Sequence, residues 1–414
     1  MATQPRAPAA RAWVVTAAAA TLLAITTGQR SALGLFVSPL NTSTGLGIAT
    51  ISLAMAMGQL AWGVAQPVAG VLAVRYGPAR VISAGAVLLA AATAALPSGH
   101  SAMALAAALS LAAIAGAAAG GNAMLLGIVS ERAGPTQRGL MIGVVSAGSS
   151  AGQLVLAPVT QAGITLAGWA NALYALAALS LLALPLGSLL EGSRADAATT
   201  STDPAAPTAA APALADALRS KGYWLITAGF FVCGFHVAFL LTHMPGVIEL
   251  CGLPSTLSGT WIAIVGLCNV VGSLGAGYAI RHVPMRWMLT ALYAARAAGI
   301  ATFLAIPKTS ATMLGFALWM GITYMATLPP TAGLLGKLYG VKRLSALLGV
   351  TMLVHQVGGF AGVWLGGVAV AATGSYDVLW LVDAGLAVVA ALLHLPLHEP
   401  APPGRTASRL VGAG

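Results

Sequence analysis

The feature that most limits this chain is a succession of apolar runs, each about 20 residues or longer, with almost no charge inside them. A run of about 20 apolar residues crosses a ~30 Å hydrocarbon layer as a helix. Inside lipid the backbone must satisfy its own hydrogen bonds, which leaves helices or closed barrels as the only options. The runs fall at 13–40, 50–74, 80–97, 102–126, 138–162 and 168–190, and again at 222–247, 257–280, 286–305, 311–335, 344–370 and 377–397. Twelve helices are expected. Only 7% of the 414 residues are charged and 58% are hydrophobic, where a soluble domain carries about 25% charged residues. The aromatic girdles and alternating strands of a membrane β-barrel are absent from the sequence. The first run is too long for a signal peptide and ends at no small-residue cleavage site, so it counts as a helix.

The net charge of +10 could point to nucleic acid, but its distribution points to a membrane. With the N-terminus inside, the cytoplasmic segments hold sixteen of the 19 Lys and Arg residues, and the outer loops hold only Lys308. That is the positive-inside bias of a multi-pass protein with both termini cytoplasmic. With the high alanine content, it suits a bacterial inner membrane. The lipid bilayer is therefore the expected macromolecular partner, with no nucleic acid, and a monomer is expected. Cys233, Cys251 and Cys268 make neither a disulfide framework nor a C-x-x-C metal site. No phosphate-binding G-x-x-x-x-G-K-[ST] loop occurs, and no constellation of paired carboxylates or of Ser or Cys with His is visible. Neither an enzyme nor a cofactor is expected.

After the sixth run the composition changes. Residues 191–220, "EGSRADAATTSTDPAAPTAAAPALADALRS", read as a cytoplasmic linker with too little apolar surface to fold, ending in a short surface helix at "ALADALRSK". The chain thus divides into a tail 1–12, a six-helix bundle 13–190, a linker 191–221, a second six-helix bundle 222–397 and a tail 398–414. The halves look related. "GVLAVRYGPAR" (70–80) and "GYAIRHVPMR" (277–286) occupy matching loops, offset by 207 residues. Gly143 and Gly152 in the fifth run match Gly349 and Gly358 in the eleventh, offset by 206. Repeats of this kind mark transporters, with ligands bound near the midplane between repeats. Gly358, Gly362 and Gly366, like Gly139 and Gly143, recur every four residues, a spacing that lets helix backbones approach closely.

Twelve helices in two halves, a long central loop, and the turn built on Gly70, Arg75, Gly77 and Arg80 resemble the major facilitator superfamily. The resemblance covers essentially the whole chain. It implies an all-α membrane fold of two pseudo-symmetric six-helix bundles and a gating role for that turn, although Val74 stands where the family pattern has an Asp. "GQRSALGLF", "GFFVCGFHVAFLLTHMP" and "HQVGGFAGVWLGG" further resemble the branch of monocarboxylate porters and oxalate/formate exchangers. The eighth run offers Asn269 and no cation–carboxylate pair, so coupling by such a pair is not implied.

Two cations fall inside the apolar runs, Arg30 and Arg296, and no acidic residue precedes Glu131. Burying an arginine costs about 2.5–3.5 kcal/mol on insertion scales, so such residues face cavities and mark ligand paths. Thr26, Arg30, Gly34 and Ser38 form a stripe at i, i+4 spacing. A guanidinium grips a carboxylate with two parallel hydrogen bonds, so Arg30 is the expected anchor for a substrate carboxylate. The alternative is that it bonds backbone carbonyls of the other half. His236 and His355 are expected contacts from the opposite half, for substrate or proton, or simply donors to neighbouring carbonyls. Gln59, Asn122, Gln153, Asn269, Tyr324 and Gln356 are further candidates, since polar side chains in spans either bind ligands or join helices. Arg296 and Asp383, in the ninth and twelfth runs, read as a structural ion pair; were Arg296 to reach the cavity, Asp383 would be the carboxylate left for protons. The leading expectation is secondary transport of a small mono- or dicarboxylate by alternating access, as proton symport or anion exchange. The runner-up is export of hydrophobic or cationic compounds, which the lack of acids in the first half disfavours.

Overall fold

The computed structural model describes residues 7–133, 137–191 and 214–399. The expectations for residues 1–6, most of the linker (192–213) and most of the C-terminal tail (400–414) lie outside the described residues. Among the described residues, twelve helices are long and apolar enough to cross a membrane: α1 Arg11–Thr44, α2 Ile48–Tyr76, α3 Pro78–Ser98, α4 Ala102–Arg132, α5 Arg138–Ala167, α6 Trp169–Leu189, α7 Lys221–Leu250, α8 Thr256–Ala279, α9 Met285–Ala305, α10 Ser310–Tyr339, α11 Arg343–Thr373 and α12 Asp377–His394. Among the described residues there is no strand. The end of the linker is helical at Leu214–Arg219, packed on α7 and α11.

The same pairings recur in both halves. α1 packs on α5 as α7 packs on α11, α2 on α4 as α8 on α10, and α3 on α6 as α9 on α12. The offset glycines explain part of this. A Cβ on Gly152 would collide with the Ala24 carbonyl on α1, and one on Gly358 with the Phe231 carbonyl on α7. Each removes the side chain that would hold two backbones apart. Gly139 and Gly143 do otherwise: nothing lies within 4 Å of where their side chains would be, so their four-residue spacing marks no helix contact here.

Among the described residues four helices are interrupted, α6 at 181–182 between Trp169–Ser180 and Ala183–Leu189, and three others. α1 tightens into a 3-10 turn at Leu33–Phe36, just beyond Arg30. α4 breaks at Gly121, whose ψ of 136° is extended rather than helical. α10 loses its α-helical pattern at 324–327, between Ser310–Thr323 and Leu328–Tyr339. Interrupted helices expose backbone groups where a cavity can use them.

The halves join along α1–α7, α2–α11 and α5–α8. The contacts sit at the midplane and towards the end away from the chain termini. Gly34 meets Leu241 and Thr242, a Cβ on Gly367 would stand 3.0 Å from the Ile48 carbonyl oxygen, and one on Gly259 would stand 3.0 Å from Pro158 Cα. Ser38 Oγ donates to Glu249 Oε1 at 3.0 Å. Towards the terminal end, α4 and α11 share no extensive packing, nor do α5 and α10. Among the described residues, the halves therefore meet at the far end and share no extensive helix packing at the end where Ala7 and Glu399 lie.

Candidate functional site

The cavity around Arg30 measures about 80 Å³ and is walled by α1, α2, α3, α4, α6 and α7. At roughly 10–15 Å³ per water-sized sphere, it has room for a molecule of a few heavy atoms. Thr26, Gln29, Arg30 and Gly34 come from α1, and Gln59 and Trp62 from α2. Leu89, Leu96, Leu109 and Leu176 make most of the opposite side apolar.

Arg30 Nη2 donates to Gln59 Oε1, and the guanidinium lies 5.0 Å from the centre of the Trp62 ring. A cation over an aromatic face gains about 0.5–2 kcal/mol, but neither neighbour carries a negative charge. Arg30 forms no ion pair among the described residues. Its Nε and Nη1 make no hydrogen bond to protein and are not sealed from the cavity. The alternative, a bond to carbonyls of the other half, is not made among the described residues; the partner is a neutral side chain of the same half. Tyr324, at the break in α10, is buried with its hydroxyl 3.5 Å from the Val237 carbonyl oxygen and does not line the cavity.

The i, i+4 stripe of α1 holds for Thr26, Arg30 and Gly34, which all line the cavity. Ser38 leaves it, because the 3-10 turn intervenes, and joins Glu249 instead. Trp62 was not among the expected residues. The available signal was its spacing, three residues after Gln59 and so on the same face of α2.

The remaining candidates are placed as follows. Asn269 ties helices together: Nδ2 donates to Ser150 Oγ on α5 at 3.0 Å, and Oδ1 accepts from Met325 N in the α10 break at 3.1 Å. Gln153 is buried at the α5–α8 crossing, its Cβ 3.0 Å from where Gly266 would carry one, with Nε2 unpartnered. Gln356 is buried at the α2–α11 crossing, against Gly63. Asn122 is exposed at the start of the second segment of α4. His355 is buried, 4.8 Å from the Phe230 ring and beside the Cys233 thiol, with both ring nitrogens unpartnered. None of these five lines the Arg30 cavity.

His236 is not on the cavity wall either. It is 1% exposed, and its Nδ1 lies against Oδ1 of Asp383, itself 0% exposed. This corrects the expected Arg296–Asp383 pair. Arg296 instead donates through Nη2 to the carbonyl oxygens of Thr323 and Tyr324. The break in α10 frees those carbonyls from helical bonding, and a guanidinium on the adjoining α9 satisfies them. In the turn between α2 and α3, Gly77 holds φ at +94°, and Arg75 stacks on Tyr76. A Cβ on Gly70 would meet nothing within 4 Å, and Arg75 and Arg80 are exposed, with no carboxylate in ion-pair range among the described residues.

Residues 19–363 match the family model described as Major Facilitator Superfamily. An uncharacterized MFS-type transporter of Bacillus subtilis (strain 168), YcxA, is 26% identical over 191 residues, which are 42% of this chain and 46% of that protein. The match thus spans about half the length of the relative. A D-xylose–proton symporter has a similar structure, with TM-score 0.71 at 16% identity over 93% of this chain and 97% of that one. So does a bacterial homologue of the human lysosomal transporter Spinster, crystallised inward-facing and occupied, with TM-score 0.71 at 14% identity over 95% and 97%.

Proposed function

The chain belongs to the Major Facilitator Superfamily, and on that premise we propose that it is a secondary transporter for a small organic anion, a mono- or dicarboxylate. It works as a monomer by alternating access, as proton symport or anion exchange, in a bacterial inner membrane with both termini cytoplasmic. In that orientation the conformation described above opens inward.

One observation supports the choice of cargo. A permanent cation stands in the wall of a membrane cavity with only an uncharged amide and an indole against it. A charge kept within a span needs compensation, and a carboxylate arriving from water supplies it through two parallel hydrogen bonds to the guanidinium edge. The leucine-rich wall opposite suits the carbon skeleton of a small acid. The fold is shared with a protein named for D-xylose; at 16% identity that likeness concerns fold, and a sugar would leave Arg30 uncompensated.

The test is uptake of labelled lactate, pyruvate and succinate into proteoliposomes holding the wild type or Arg30→Ala. Uptake of at least one acid that disappears in the variant is expected. A variant that transports as well as the wild type removes the assigned role.

A further inference from the structure

We propose that His236 and Asp383, buried between α7 and α12, form the proton-binding site that couples anion movement to the pH gradient. The inference rests on the anion-transport reading and specifies its coupling ion.

Asp383 is the one carboxylate set within the middle of a described span. Both side chains are fully enclosed, and apart from their mutual contact neither carboxylate oxygen nor either imidazole nitrogen has a hydrogen-bond partner. A purely structural ion pair would use a permanent charge, and the adjoining helix carries one beyond ion-pair distance. Arg296, 1% exposed on α9, which packs along α12, leaves Nε and Nη1 without acceptors. Instead Arg296 holds the α10 break, and the carboxylate is left with the one side chain whose charge changes near neutral pH.

The charges then balance in two ways. With a proton on the imidazole, His236 and Asp383 neutralise each other. When that proton leaves to water, Asp383 is an uncompensated buried carboxylate, which is strongly unfavourable. On the adjoining α9, Nε and Nη1 of Arg296 are buried donors without acceptors among the described residues. Deprotonation therefore draws Asp383 towards Arg296 and competes with the carbonyls of Thr323 and Tyr324 that Arg296 holds. The change therefore acts on the α10 break, which Asn269 of α8 also holds through Met325 N. An anion on Arg30 and a proton on His236 together add no net charge, which makes the loaded carrier electrically cheaper to reorient than either half-loaded form.

The helices packed against α7 and α12, and those two helices themselves, carry further buried titratable and charged groups. Arg296 and Tyr293 come from α9, Tyr324 from α10, His355 from α11, Cys233 from α7 itself and His394 from α12 itself. His394 Nδ1 donates to Ala390 O at 2.7 Å, and its ring stacks on Tyr293. His243, further along α7, is engaged by Val363 O and Tyr376.

Two measurements test the proposal. The first needs no substrate: infrared difference spectra of the purified protein as pH is changed. The wild type should show linked carboxylate and imidazole bands that vanish in Asp383→Asn and shift in His236→Gln; unchanged bands in Asp383→Asn overturn the proposal. The second uses labelled lactate in proteoliposomes. With one proton per anion, an inward gradient of one pH unit should give the wild type about tenfold accumulation, because each unit of pH is a factor of ten, while Asp383→Asn should not accumulate yet exchange lactate within about twofold of wild type. Accumulation by Asp383→Asn overturns the proposal. So does loss of exchange as well as accumulation that Asp383→Glu fails to restore, since that is a structural role. If the wild type exchanges no lactate, pyruvate or succinate, the transport reading fails and the infrared result alone decides the proton site.

Discussion

Replacing Gly34 with alanine should bias this carrier towards opening at the end away from its termini. Gly34 lies where α1 crosses α7. A Cβ there would stand 3.0 Å from Thr242 Cα and closer still to the Leu241 carbonyl oxygen. Ordinary contact begins near 3.4 Å, so the two helices must part by at least several tenths of an ångström. Both obstacles are backbone, and no side chain can swing aside. Overpacking of this sort costs about 1–3 kcal/mol. The contact joins the two halves, so most of that cost falls on the conformation closed at the far end and is relieved when the halves part there. The equilibrium should shift about 5- to 150-fold towards far-end opening. Spin labels on Ser43 and Ser255, both exposed near that end, would report it as a longer-distance population in pulsed electron resonance. Gly127→Ala serves as control, because nothing lies within 4 Å of its would-be side chain. An unchanged distance distribution in Gly34→Ala, with the protein folded, would refute the reasoning.

Arg30→Lys keeps the charge but loses the planar fork; losing one charged hydrogen bond at about 1.5–3 kcal/mol should weaken carboxylate binding about 10- to 150-fold, measured by calorimetry with the transported acid. Gly358→Ala forces α7 and α11 apart, with Phe235 N at 3.2 Å from the new Cβ and the Phe231 carbonyl nearer, and should destabilise the folded protein by about 1–3 kcal/mol. Its neighbour Gly349→Ala, with nothing within 4 Å, should be neutral or slightly stabilising in the same thermal unfolding assay. Asn269→Ala deprives Met325 N of its acceptor and breaks the bond to Ser150. A donor left without a partner costs about 1–3 kcal/mol, so the melting temperature should fall.

The twelve spans were legible because hydrocarbon imposes a length and a composition that any reader of the sequence can count. Boundaries agree to within a few residues except where helices break. The 3-10 turn after Arg30 includes Gly34. Pro329 and Pro330 follow the interruption at 324–327 and cannot donate to the carbonyls of Met325 and Ala326 four residues back, but how far each helix departs from α geometry depends on what packs beside it. Arg30 was identifiable because nothing in its sequence neighbourhood could neutralise it. The partners of Arg296 and Asp383 were not, because pairing in a bundle depends on helix rotation, and two ionisable residues on adjoining helices can each face a third.

The sequence by itself determined that this is a twelve-span membrane protein made of two related halves, with a lone cation in the first of them. Those properties follow from hydropathy, spacing and charge sign, which are local or additive along the chain. Only the tertiary structure decided that His236 takes Asp383, that Arg296 holds the broken α10, and that the halves close at one end and part at the other. Each of these turns on which faces of distant helices meet, and side-chain direction changes by about 100° with every residue of helix, so no count along the sequence fixes it.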